Sequence, residues 1–109
     1  MDITIRNLQE YLLDRYGGWA NEQSMFMKLV EEMGETAEVL NKKAGRKYTG
    51  EEDLQIELGK ELADMIHYIV AIAALNNLDL TRIMLEKDRA ASLKYHHDTN
   101  LETFLKSKN

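Results

Sequence analysis

The chain has 109 residues, a formal net charge of −5, no proline and no cysteine. One domain with a modest core fits this length, and so does self-association, because small proteins bury a smaller share of their surface. The acidity argues against the basic stripe that nucleic-acid binding needs; the missing cysteines exclude disulfides, thiolate zinc sites and a cysteine nucleophile.

The chain is rich in Leu, Ala, Glu, Lys and Met, good helix formers, so an all-α fold is expected. The start, Met1-Asp2-Ile3-Thr4-Ile5-Arg6, lacks the basic and apolar segments of a signal peptide, and a cytoplasmic protein is expected. Helix one runs from Asp2 or Thr4 to Tyr16, with Ile5, Leu8, Leu12 and marginally Tyr11 inward, and stops at Gly17-Gly18. Trp19 falls in a short connection. Asn21 caps helix two, whose apolar stripe Phe26, Leu29, Val30, Met33, Ala37 and Leu40 recurs at helical spacing up to Gly45. Lys42 to Gly50 reads as a basic loop, and Thr49 with Glu52 makes a capping box for helix three, which ends at Asn76-Asn77. Its longest apolar run, Ile69 to Leu75, is far too short to cross a bilayer. Asp79 caps helix four, which carries Leu80, Ile83 and Met84 and reaches Tyr95; a tail from about residue 97 adds a short helix or an arm. No second domain or repeat is visible, so residues 1–109 read as one domain. Short connections favour antiparallel neighbours, which sets helices two and three side by side.

That pairing brings two acidic runs together. Glu32 and Glu35 are one i, i+3 pair, Glu61 and Asp64 another, and each pair shares a helix face. Four carboxylates so placed suit a hard cation such as Mg²⁺, which takes oxygen ligands and keeps waters and phosphates in its shell. A solvated acidic face is the alternative, and on helix two periodicity does not separate them: Glu31, Glu35 and Glu38 project away from the apolar stripe, with Glu32 at its border. Helix three is more informative, because the face bearing Glu61 and Asp64 continues as Tyr68, Ile72 and Leu75. Carboxylates entering such surroundings need a proton, a partner or a metal. Basic partners are few, chiefly Lys28 and Lys60.

The runs Lys28-Leu29-Val30-Glu31-Glu32-Met33-Gly34-Glu35 and Glu61-Leu62-Ala63-Asp64-Met65-Ile66-His67-Tyr68 resemble the two signature helices of the MazG-like branch of the all-α NTP pyrophosphatase superfamily, over about residues 20–95. The resemblance implies an antiparallel four-helix core assembled as a dimer or a dimer of dimers. It implies hydrolysis of NTPs or dNTPs to the monophosphate and pyrophosphate with Mg²⁺, for which Mn²⁺ can substitute, in clearing or balancing nucleotide pools. By the same resemblance Glu32, Glu35, Glu61 and Asp64 are the metal ligands, and Glu31 orients or deprotonates the attacking water. Lys60 stands where many relatives repeat an acidic residue, and Glu57, one turn before Glu61, reads as a surface residue, with support of the ligands from behind as the alternative.

Among the remaining residues, Lys87 and Lys94 match a region that supplies phosphate contacts in relatives, with an ordinary charged helix face as the alternative and Arg89 a weaker choice. Trp19 and Tyr95 are candidates to stack on the base, against the alternative of core packing. Asp64-x-x-His67 has the ligand step of di-iron bundles, but those sites need it twice, so His67 reads as a packed or hydrogen-bonding histidine. His96-His97 is a weak metal signal, and Lys42, Lys43, Arg46 and Lys47 read as a solvated loop. Two other functions share these features: a nucleotide-binding regulator without hydrolysis, and a helical interaction module.

Overall fold

The computed structural model describes residues 1–45, 50 and 53–108. Among them are five helices and no strand: α1 (Ile5–Tyr16), α2 (Glu22–Lys43), α3 (Leu54–Leu75), α4 (Leu80–Lys94) and α5 (Leu101–Ser107). Each begins on a residue whose side chain accepts a backbone N–H of the first turn: Thr4, Asn21, Asp53, Asp79 and Asn100. Thr49 and Glu52 lie outside the described residues, as do Arg46 and Lys47, and the cap of α3 is Asp53. Gly45, at φ +88, closes α2 where the sequence placed its stop. Asn77 takes the same left-handed conformation beyond α3, at φ 55, while Leu78 N–H reaches back to the Ala73 carbonyl.

α2 and α3 lie antiparallel along their length. Asn76 at the end of α3 donates to Glu22 at the start of α2, and Lys43 at the end of α2 donates to Gln55 at the start of α3. α1 packs on the second half of α3, where Leu12, Tyr16, Met25, Val70, Ala71 and Ala74 form the core and Ile5, Leu8, Tyr68, Ile72 and Leu75 pack around it. Alanine at 71 and 74 lets α1 approach closely. Tyr11, expected at the inner margin, is exposed. α4 turns 105° from α3 and packs on α1 and α5. Gln9 fixes that corner by donating to the Leu78 carbonyl and accepting from Leu80 N–H, while Arg6 pairs with Asp79.

The α2 stripe differs from expectation. The side chains that meet α3 are Met25, Leu29, Thr36 and Val39, whereas Phe26, Val30, Met33, Ala37 and Leu40 are exposed. The apolar arc of α2 is wide enough to face two partners, and α3 takes the edge that contains Glu32. Leu62, Ile66 and Ile69 of α3 are also exposed. No single helix among the described residues is long and apolar enough to cross a membrane.

Candidate metal and nucleotide site

Because α3 meets that edge of α2, Glu32 points towards α3 rather than along the border of a buried stripe. Carboxylate oxygens of Glu32, Glu61 and Asp64 lie within 4.8 Å of one another, with Glu32 and Glu61 half-buried and Asp64 exposed. Among the described residues no other group of three or more such side chains is gathered in this way. Glu32 Oε2 and Glu61 Oε2 are shielded from solvent and have no hydrogen-bond donor. The Glu61 carboxyl is pushed up to about 7, first by a hydrogen bond with the Glu32 carboxyl, then by burial, then by the Glu35 carboxyl and the charges of both neighbours. Glu35 therefore borders the cluster through Glu61. Two buried oxygens without donors, in an all-oxygen set held by two helices, fit a hard divalent cation.

Lys28 Nζ lies 3.4 Å from Glu31 Oε2, an exposed pair one helical turn apart, so Glu31 sits on the shoulder of the site and not among the converging oxygens. Tyr68, one turn beyond Asp64, is half-buried. Its phenol is pushed up by burial, then by Tyr16 and the charge of Glu32, with Lys28 opposing and Asp64 adding, so it remains a neutral O–H donor beside the carboxylates. Sequence reading assigned Tyr68 only to packing, although its i+4 step from Asp64 was visible.

Tyr16 and His67 join α1 to this face: the Tyr16 hydroxyl is 2.8 Å from His67 Nε2, and the rings meet edge-on with centroids 5.6 Å apart. His67 is thus a hydrogen-bonding histidine beside the site, as expected. Its partner lies far away in the chain, so no local pattern could have found it. Trp19 is 72% exposed, so it is not a core residue. Its Nε1 donates to the Arg15 carbonyl and its ring leans on Tyr16 at 5.7 Å, beside a cavity of about 370 Å³ lined by Gly18, Ala20, Glu22, Leu75 and Asn76.

The remaining candidates ride on α4 and its end. Lys87 is exposed; Lys94 Nζ lies 5.3 Å from the centroid of the Tyr95 ring, and that ring stacks on His97 at 6.2 Å. Arg89 is tied to Glu102 at 2.9 Å, which holds α5 against α4. The structure brings Glu32, Glu61 and Asp64 to one place with Glu35 beside Glu61; Lys87 and Lys94 belong to α4, which packs on α1 and α5, and Tyr95 caps its end.

No curated protein and no solved structure gives a significant match. The family model of the MazG nucleotide pyrophosphohydrolase domain matches residues 20–89, a span that runs from the connection before α2 into α4 and contains every carboxylate of the cluster. With most of its length inside that match, the chain belongs to the MazG nucleotide pyrophosphohydrolase domain family.

Proposed function

We propose that this chain is a Mg²⁺-dependent nucleoside triphosphate pyrophosphohydrolase, cleaving (d)NTP to (d)NMP and pyrophosphate. The observation that carries the reading is the convergence of Glu32, Glu61 and Asp64 around two buried oxygens that lack donors. Glu32, Glu35, Glu61 and Asp64 hold the cation, with Mn²⁺ able to replace Mg²⁺. The bound cation supplies charge neutralisation and makes the phosphorus at the α,β linkage more electrophilic. Glu31, on the shoulder of the cluster, orients the attacking water and takes its proton. Lys87 and Lys94 contact the phosphates, and Trp19 and Tyr95 contact the base. Positioning and electrostatic stabilisation provide most of the acceleration. Nucleotide-pool clearance in the cytoplasm, by a homo-oligomer, completes the reading.

The test is pyrophosphate release from a panel of canonical and modified NTPs and dNTPs, with Mg²⁺ and with chelator, on the wild type and Glu32→Gln. Mg²⁺-dependent release of the monophosphate, reduced at least ~100-fold in the variant, is expected, in line with the loss of a group that stabilises developing charge. A folded protein that binds Mg²⁺ and nucleotide yet releases nothing would reject hydrolysis in favour of a nucleotide-binding regulator.

A further inference from the structure

The indole of Trp19 is the exposed end of a series of ring contacts that starts beside the carboxylates. On α3, His67 lies one turn beyond Asp64, and its ring meets that of Tyr68 at 5.1 Å. Its Nε2 is 2.8 Å from the Tyr16 hydroxyl, and the Tyr16 ring meets the Trp19 ring at 5.7 Å. The cavity of about 370 Å³ beside Trp19 is lined from the end of α3 by Leu75 and Asn76, about three turns beyond Asp64. On the function proposed above, the phosphates lie at the carboxylates and the base at Trp19.

Trp19 has no place of its own in the core. Gly17 and Gly18 separate it from α1; Gly18 is at φ +87, and a Cβ on Gly17 would stand 2.5 Å from the Leu13 carbonyl oxygen, so both positions call for glycine. What locates the indole is the last turn of α1: Nε1 donates to the Arg15 carbonyl at 2.9 Å, and the ring leans on Tyr16. The clustered carboxylates belong to α2 and α3, so the distance from them to the indole is set by how the end of α1 is held on α3. Arg6 and Gln9 tie the first half of α1 to the corner at Leu78, Asp79 and Leu80. At the Trp19 end the tie is the hydrogen bond between buried Tyr16 and His67. We infer that His67 is a positioning residue for the nucleobase: by fixing the Tyr16 hydroxyl it holds Trp19 beside the cavity, ready to meet a base. Plain packing does not account for the pair. Val70, Ala71 and Ala74, which α3 also turns towards α1, are apolar, and an apolar side chain at position 67 would fill space without a polar atom to satisfy. A satisfied polar pair in such surroundings fixes one mutual orientation where apolar contact alone tolerates sliding. An indole held in place before the base arrives lowers the ordering cost of binding.

The inference rests on the base contact proposed for Trp19 and adds what holds that residue in place. Trp19 is the sole tryptophan, so its fluorescence reports its own freedom. Time-resolved anisotropy of Trp19 is compared in the full-length wild type, Tyr16→Phe, His67→Leu and His67→Gln, with circular dichroism melts to confirm that each is folded. Tyr16→Phe and His67→Leu are expected to enlarge the fast component of the decay, and His67→Gln, whose amide reaches the position of Nε2, to restore it. The two bond-breaking variants should raise KM for the preferred nucleotide about tenfold, the scale of one net hydrogen bond, with kcat changed by less than about twofold. Inhibition by inorganic tripolyphosphate, which has no base, should be the same in every variant. An unchanged decay in both Tyr16→Phe and His67→Leu would overturn the inference. So would an equal weakening of nucleotide and tripolyphosphate binding, which marks damage to the phosphate end. If the wild type releases no pyrophosphate, the enzymatic reading fails alone, and dissociation constants from nucleotide quenching of Trp19 take the place of KM. Absence of quenching by every nucleotide tested would then overturn the base contact and, with it, the role of His67.

Discussion

Glu61 gives up its proton only near neutrality, raised from 4.5 to about 7 by Glu32, by burial and by Glu35. A carboxyl whose pKa is higher in the folded than in the unfolded chain makes the folded state bind the proton more tightly, so the contribution to stability falls as pH rises between those two values. Melting temperatures of the metal-free protein in chelator are therefore expected to decline from pH 4.5 to 7, and Glu61→Gln to flatten that decline. A cation competes for the same oxygens. Calorimetry in two buffers of different ionisation enthalpy should show Mg²⁺ binding that releases a proton at about pH 6 and none at about pH 8. A pH-independent melting curve in the wild type would show that the Glu61 carboxyl is not raised in the folded chain. The acidic residues themselves were legible in the sequence, because their three-residue steps place each pair on one helix face. The raised pKa of Glu61 was not, since it depends on how close two helices come. The same limit hid the contact of Tyr16 with His67, whose residues are 51 positions apart.

Among the elements, three of the caps were legible: Asn21 and Asp79 start helices where side-chain chemistry says they should, and Thr4 does the same for α1, whereas α3 starts on Asp53 and not on the expected Thr49. Asp79 has a further task that only the folded chain reveals. Besides accepting Arg82 N–H it pairs with Arg6 of α1, so it helps set the angle at which α4 leaves α3. Both contacts hold its carboxyl below the usual value of 3.8, the backbone bond from Arg82 first, with burial opposing. A depressed folded-state pKa gives stability that is present above the unfolded value and lost as pH falls through the folded one. Asp79→Ala should thus lower the melting temperature at neutral pH more than Asp79→Asn, which keeps the cap and loses the charge, and the gap between wild type and Asp79→Asn should close in acid below 3.8. Equal losses in the two variants would mean that capping contributes nothing here. The face that α2 turns inwards was the part misread. Periodicity identified Phe26, Val30 and Met33 as apolar, and only packing showed that α3 takes the neighbouring edge, which brings Glu32 into the site.

For the whole molecule, a radius of gyration of 17.2 Å and a 105° turn before α4 describe a chain whose helices are better formed than its core. The homo-oligomer proposed above would bury apolar surface only in the folded state, so mass action would tie stability to concentration. Differential scanning calorimetry over a hundredfold dilution should show the melting temperature fall; a constant value would mean that the single chain is stable unaided. Composition, spacing and capping residues by themselves determined the all-helical class, most helix ends and the identity of the clustered carboxylates, because these follow from a residue's chemistry and its position on a 3.6-residue repeat. Only the tertiary structure decided which edge of α2 meets α3, that Glu32, Glu61 and Asp64 converge around shielded oxygens, and which apolar residues remain uncovered. Those outcomes depend on the rotation of one helix against another, a quantity set by the packing of small residues such as Ala71 and Ala74 against distant partners and not by any local pattern.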